Sequence, residues 1–256
     1  MQVKNAINIL RPRLITFDVT GTLLKVKLNE HYLEVSSRYG LKMADPQLLA
    51  PSFKYHFGNM CNEHPVFGKH TGISWENWWR NIVYNVFKDQ DPKISEEILN
   101  KIATTLIHDY STDKCWFKFP EAVDILQYLN GQRIIVGVIS NFDERLHPIL
   151  INTKLRQYFD FVLTSYNHGR EKPDISIFNK ALDIATIKHG SEINKNQALH
   201  IGDNLRLDYN GAKNAGWNAI IIKQDYKSND KYKNIPNNEI FHNLGELKKY
   251  FENIFI

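Results

Sequence analysis

The apolar residues of this 256-residue chain follow two kinds of pattern. Short, nearly continuous runs rich in β-branched residues recur at 13–17, 133–139, 161–164, 198–201 and 218–222. Such runs have no polar face, as expected of strands covered by helices on both sides of a parallel sheet. Between them the apolar positions change to helical spacing. Val123, Leu126 and Leu129 share one side of 121–129, Ile177, Ala181 and Ile184 share one side of 174–185, and 208–215 leads into Gly216 as a helix stop. From residue 120 onward strand and helix alternate. That predicts an α/β fold with a Rossmann-like, doubly wound parallel-sheet core and sites at the carboxyl ends of its strands.

Residues 25–115 read differently. They contain no convincing strand but carry helical stripes: Trp75, Trp78, Trp79, Ile82, Val83 and Val86, then Ile98, Ile102 and Leu106. Ser95 is placed to cap a helix, with Glu96 and Glu97 in a first turn that favours negative charge. The division predicted is an α/β core from 1–24 and 116–256, with a helical insert at 25–115. The aromatic residues of WENWWR fit either the hydrophobic seam of that insert or a lid or wall for a substrate. Residues 223–238 read as a surface loop before a last helix at 244–255.

Composition narrows the field. A hydrophobic fraction of 43% with 23% charged residues is that of a globular chain, so disorder is not expected. The net charge of +4 is spread rather than gathered into a basic run, which argues against nucleic acid as a partner. Cys61 and Cys115 lie far apart in no metal-like spacing and read as two free thiols of a reducing compartment. No segment approaches about 18 uninterrupted apolar residues, and the opening residues lack a run of signal-peptide length. The expectation is a soluble cytoplasmic or nuclear protein that engages no membrane. The basic, acid-free opening also fits a short mitochondrial presequence.

Chemistry becomes legible at the strand ends. LITFDVTGTLL ends its apolar run in Asp18, RIIVGVISN delivers Ser140 and Asn141, REKPD delivers Lys172, and LHIGDNLRLD delivers Asp203 and Asp208. One carboxylate after a strand is an ordinary helix cap. An acid, a hydroxyl, a lysine and an acidic pair in this order suit phosphoryl transfer. Asp18 could attack phosphorus and form an acyl phosphate, splitting one hard step into two. Mg²⁺ held by Asp18, Asp203, the Thr20 backbone carbonyl and Asp208 would cancel the repulsion between the two anions. Lys172 and the Ser140 hydroxyl would hold the phosphate oxygens, and Lys172 would keep Asp18 ionised without metal. Asn141 fits either a phosphate contact or a turn cap.

DVTGTLL, VISN, EKPD and GDNLRLD resemble, in order, the four motifs of the haloacid dehalogenase-like hydrolase superfamily, and the insert resembles the helical cap of its type I members. The likeness covers almost the whole chain. The combination of ISNFD, VLTSY, HIGDN and the WW pair is similar to one subgroup, that of haloacid dehalogenase-like hydrolase domain-containing protein 3 with its insect relative, rhythmically expressed gene 2 protein. The resemblance implies a Mg²⁺-dependent hydrolase with Asp18 as nucleophile, acting on a small phosphorylated metabolite or an acyl phosphate.

Thr20 departs from that pattern. Phosphatases of the superfamily usually carry an aspartate two residues after the nucleophile, to protonate the leaving alcohol and then deprotonate the attacking water. A threonine hydroxyl is too weak an acid or base for either task near neutral pH. DVTGT instead resembles the DKTGT of ion-pumping P-type ATPases, whose phosphoenzyme persists, but no membrane span accompanies it here. Three outcomes follow: a slow phosphatase that favours good leaving groups, a persistent phosphoenzyme, or a fold kept for binding with little turnover. A dehalogenase would have no use for the Asp203 and Asp208 pair.

Other polar residues fit structural roles. The ten histidines include no helical i, i+4 pair of metal-binding type, and His200, inside a strand, is expected to be packed. Asp143 is expected to cap the helix through Leu146, and Arg206 to lie at the surface.

Overall fold

The computed structural model describes residues 11–223 and 232–255. The opening ten residues, and half of the loop expected at 223–238, lie outside the described residues. Eight strands occur among those described: β1 (Leu14–Phe17), β2 (Leu24–Val26), β3 (Trp116–Lys118), β4 (Ile135–Ser140), β5 (Phe161–Thr164), β6 (Ala198–Gly202), β7 (Asn218–Ile222) and β8 (Ile240–Phe241). Six of them form one sheet in the order β5-β4-β1-β6-β7-β8, and each of its pairings is parallel. The expected α/β parallel-sheet class is the one observed. β4 begins two residues later than the apolar run at 133–139, because Arg133 takes a left-handed backbone (φ 57°) that no strand accommodates.

β1 lies at the centre of the sheet, with β4 on one side and β6 on the other. After β1 the sheet grows outward through β4 and β5, then turns back to β6 and grows the opposite way through β7 and β8. β1 therefore marks a topological switch point, and the crevice past its carboxyl end is where this architecture places ligands. Phe17 is in register with both Val138 and Ile201, so the residues that follow β1, β4 and β6 emerge side by side.

The chain divides into two compact units, one made of residues up to 25, 118–141 and 154 onward, the other of residues 26–117 and 142–153. The second is helical: α1 (Leu28–Arg38), α2 (Leu49–Glu63), α3 (Trp75–Gln90) and α4 (Glu96–Asp109). The α/β unit adds α5 (Ala122–Gly131), α6 (Leu146–Asn152) belongs to the helical unit, and α7 (Ser165–His168), α8 (Ile175–His189), α9 (Gly211–Asn214) and α10 (Leu244–Ile254) complete the α/β unit. β2 and β3 form a separate two-stranded ribbon. At three residues each they are too short to show alternation, so no strand is legible there in the sequence.

Helix signals in the helical unit act as their chemistry requires. The Ser95 hydroxyl accepts from the Ile98 N–H at 3.3 Å at the start of α4, and Ser74 does the same for α3 with the Asn77 N–H at 3.3 Å. Trp78, Ile82, Val83, Val86 and Phe87 are buried on one face of α3. Trp78 is thus a core residue, and its indole N–H donates to the His64 carbonyl at 2.8 Å. Trp75 and Trp79 have another task. They flank the Arg145 guanidinium, whose carbon lies 4.9 and 4.8 Å from their ring centroids. Arg145 donates to both oxygens of Asp143 at 2.9 and 2.7 Å, and the Trp79 N–H reaches Asp143 Oδ2 at 2.7 Å.

Asp143 does cap the turn that leads into α6, its Oδ1 accepting from the Arg145 backbone N–H at 3.0 Å, but it does more than that. It is a fully buried carboxylate in an ion pair. The ion pair and the Trp79 N–H tie it to α3, and this grip explains why 142–153 packs with the helical unit. Cys61 and Cys115 form no disulfide, and burial pushes the Cys115 thiol up to about 12.

Candidate active site

The local chemistry after β1 places its acid. The Asp18 N–H extends the ladder to the Ile201 carbonyl at 2.9 Å, so the carboxylate starts at the sheet edge. The chain then folds back on itself: the N–H groups of Leu23 and Leu24 both donate to the Val19 carbonyl at 2.9 Å, and Gly21 N–H to the Leu24 carbonyl at 2.8 Å. Gly21 has φ 87°, and a Cβ there would lie 2.2 Å from Asp203 Oδ2. Only glycine lets the turn pass so close to that second acid. Thr20, beside it, is exposed.

Lys172 organises the interior of the site. Its side chain is 1% exposed, and its three N–H groups have three acceptors: Asp18 Oδ1 at 2.8 Å, Asp208 Oδ1 at 2.6 Å and the Ile139 carbonyl at 2.7 Å. A buried ammonium is tolerated only when satisfied in this way. Burial alone would lower its pKa, but Asp18 and then Asp208 outweigh burial and hold it above the ordinary lysine value. The backbone beneath is fixed by Asn141, whose side-chain oxygen accepts from the Lys172 N–H at 2.7 Å and whose amide donates to the Lys172 carbonyl at 2.9 Å. Asn141 thus spends its side chain on placing Lys172.

Asp18, Asp203 and Asp208 each bring a carboxylate oxygen to within 4.8 Å of the others. Three carboxylates face one ammonium, leaving an excess of two negative charges. Asp208 is best compensated: Asn204 N–H donates to Oδ2 at 2.9 Å, and despite burial the neighbouring Lys172 and His200 hold it well below the usual carboxylate range. Asp18 is raised, by burial first, against the pull of Lys172, and further by Asp208. Asp203 keeps an exposed face, yet the protein packed around its carboxylate, and then Asp18 and Asp208, raise it to about 7. Such a cluster of hard oxygen donors with unbalanced charge is what a small divalent cation fits.

Asp18, Lys172, Asp203 and Asp208 are therefore brought together, and Ser140 lies close enough for its hydroxyl to hydrogen-bond Asp18 and oppose the rise in its pKa. Arg206 is exposed, with its N–H donating to the Asn204 side chain at 3.0 Å. Asn204 and Thr16 carry no functional expectation in the sequence, and His200 is expected there only to be packed, as it is. Asn204 caps the π-helical turn Leu205–Asn210 that carries Asp208, while His200 and Thr16 contact one another at 2.8 Å below the site. The only signal for the last two was a polar residue inside each of two apolar runs.

The profile of the haloacid dehalogenase-like hydrolase family matches residues 12–216. The chain belongs to this family. It is 37% identical to rhythmically expressed gene 2 protein of Drosophila melanogaster over 84% of each chain. It is 33% identical to human haloacid dehalogenase-like hydrolase domain-containing protein 3, over 83% of this chain and 82% of that one. These are the relatives that the ISNFD, VLTSY and HIGDN segments resemble. Among solved structures, a family hydrolase from Bacillus subtilis bound to magnesium superposes with a TM-score of 0.68 at 16% identity, covering 94% of this chain and 99% of that one. At that identity the likeness shows a shared fold. Family membership makes the chain a haloacid dehalogenase-like hydrolase, consistent with phosphatase or dehalogenase-type activity.

Proposed function

We propose that this hydrolase transfers phosphoryl groups through an aspartyl phosphate on Asp18 and releases phosphate slowly. The observation that carries the reading is the convergence of Asp18, Asp203 and Asp208 within 4.8 Å, around an ammonium 2.8 Å from the nucleophile. A dehalogenase needs no cation site, whereas these oxygen donors, with Gly21 leaving room against Asp203, fit one. Asp18, Asp203, Asp208 and the Thr20 carbonyl would hold Mg²⁺, the ion present in the Bacillus subtilis structure. Bound there, Mg²⁺ would neutralise the phosphate oxygens that a carboxylate must approach.

The chain's own residues do the rest. An Asp18 oxygen forms the new bond to phosphorus as the ester oxygen leaves with its electron pair, and Lys172 with the Ser140 hydroxyl steadies charge on the phosphoryl oxygens. Water then cleaves the acyl phosphate and regenerates Asp18. Thr20 can neither give a proton to the departing oxygen nor take one from that water, so substrates whose leaving groups depart unprotonated are favoured, and the phosphoenzyme outlives that of an aspartate-bearing relative. The small phosphorylated metabolite or acyl phosphate that enters is selected by the helical unit, acting as the cap of type I family members.

The test is a panel of phosphate esters and acyl phosphates with MgCl₂, following both phosphate release and labelling of Asp18. Asp18→Asn should remove release by about 10³-fold or more. Thr20→Asp should speed release from poor leaving groups by about 10²-fold. Turnover that survives Asp18→Asn, or a wild-type chain that neither turns over nor becomes labelled, would refute the reading.

A further inference from the structure

His200 is fully buried in β6, in register with Thr16 of β1 on one side and Ala219 of β7 on the other, with the Phe178 ring edge-on at 5.4 Å. A polar ring in such a place needs partners, and it has two. Nδ1 lies 2.8 Å from the Thr16 hydroxyl, and Nε2 lies 3.2 Å from Asp208 Oδ1. Asp208, held ionised by Lys172, can only accept, so the proton of the ring must sit on Nε2. Nδ1 is then an acceptor, and the Thr16 hydroxyl donates to it. The tautomer is set by a threonine on the neighbouring strand.

The consequence lies in the carboxylate. Oδ1 of Asp208 receives two hydrogen bonds, from Lys172 at 2.6 Å and from His200 at 3.2 Å, while Oδ2 receives one, from the Asn204 N–H at 2.9 Å. One lone pair remains on Oδ2. A carboxylate held by Lys172 and Asn204 alone can rock about its Cβ–Cγ bond, exchanging which oxygen meets the ammonium. A third donor on Oδ1 opposes that exchange.

We infer that Thr16 and His200 form a positioning pair that locks the Asp208 carboxylate with Oδ1 on Lys172, leaving the free lone pair of Oδ2 for a divalent cation. This rests on the cation site of the proposed function. The pair touches neither nucleophile nor phosphate; it acts through Asp208. Outer-shell partners of this kind change metal affinity by about 10- to 100-fold when removed.

The experiment uses the full chain, titrated with MgCl₂ by calorimetry and by melting temperature, together with ¹⁵N–¹H correlation spectra of the histidine rings. The buried His200 ring should show the Nε2–H tautomer. His200→Phe, which keeps the ring shape, should bind Mg²⁺ about tenfold more weakly. His200→Gln, which can present an N–H near the Nε2 position, should recover most of that loss, and Thr16→Val, one hydrogen bond further from Asp208, should lose about threefold, less than the loss of a direct outer-shell partner. A residue that merely fills space would give the opposite ranking, with His200→Phe bound normally. The inference is overturned by an Nδ1–H tautomer, by unchanged Mg²⁺ affinity in His200→Phe, or by a His200→Gln protein no better than His200→Phe. Should His200→Phe not fold, unchanged affinity in Thr16→Val overturns it equally. If the wild-type chain itself binds no Mg²⁺, the proposed function fails instead, and the ring tautomer alone decides whether the pair is built as described.

Discussion

Each unit of this protein gathers a charge cluster, wholly buried in one and open at Asp203 in the other, and the two are built on opposite principles. In the helical unit one carboxylate, Asp143, meets one guanidinium, Arg145, through two side-chain hydrogen bonds, with Trp75 and Trp79 against the cation and the Trp79 N–H on the anion. In the α/β unit Asp18 and Asp208 share one ammonium, and the exposed Asp203 brings a third carboxylate beside them. The first cluster is balanced and saturated and needs nothing from outside. The second has every N–H of its lysine used, yet keeps an excess of negative charge that folding alone does not cancel. Burial of charge is therefore a poor guide to function. Imbalance is the better one, because an uncompensated buried group raises the free energy of the fold until a ligand arrives.

Breaking the balanced cluster should give the largest effect on stability. Arg145→Met leaves Asp143 buried and unpaired, and denaturant unfolding should show a loss of about 3–5 kcal/mol. Because the pair needs no ligand, the loss should be the same with or without MgCl₂. A loss that MgCl₂ reverses would show that the two clusters are not of different kinds. Trp79→Phe removes one donor from Asp143 while keeping an aromatic face for Arg145, and should cost about 1–3 kcal/mol in the same measurement.

The smallest effect sharpens the other side of the comparison. Asp203, with its pKa raised from 3.8 to about 7, holds a proton in the folded chain over a range where the unfolded chain has lost it. Its contribution to stability is therefore fully present below about 3.8 and is lost as the pH rises through about 7. In EDTA, the melting temperature of the wild type relative to Asp203→Asn should fall across that window and then level off. With saturating MgCl₂ the difference should no longer slope downward. A flat difference in EDTA would mean that neither the surrounding protein nor the neighbouring carboxylates raise Asp203.

Much of the site was legible because strand ends leave a local trace. Asp18 and Asp203 follow apolar runs directly, Lys172 sits before Pro173 and the helix that Asp174 caps, and Gly21 and Gly202 mark where backbone and carboxylate approach, a Cβ on Gly202 falling 2.2 Å from Asp208 Cγ. What escaped depends on pairing. Nothing near Asn141 reveals that its amide will bind the Lys172 backbone 31 residues later. Nothing near Asp143 shows whether an arginine two residues on will turn back to it or out to water; the tryptophans of α3 decide that.

The order of apolar runs, the helical stripes and the acids that end strands were set by the sequence itself, because secondary structure and strand termination answer to neighbours a few positions apart. Strand order, and with it the register that sets Thr16 beside His200, was decided only in the folded protein. So was the grouping of 142–153 with the helices. Contacts of that kind join residues far apart in the chain, and their free energy is realised only when both partners have left water together.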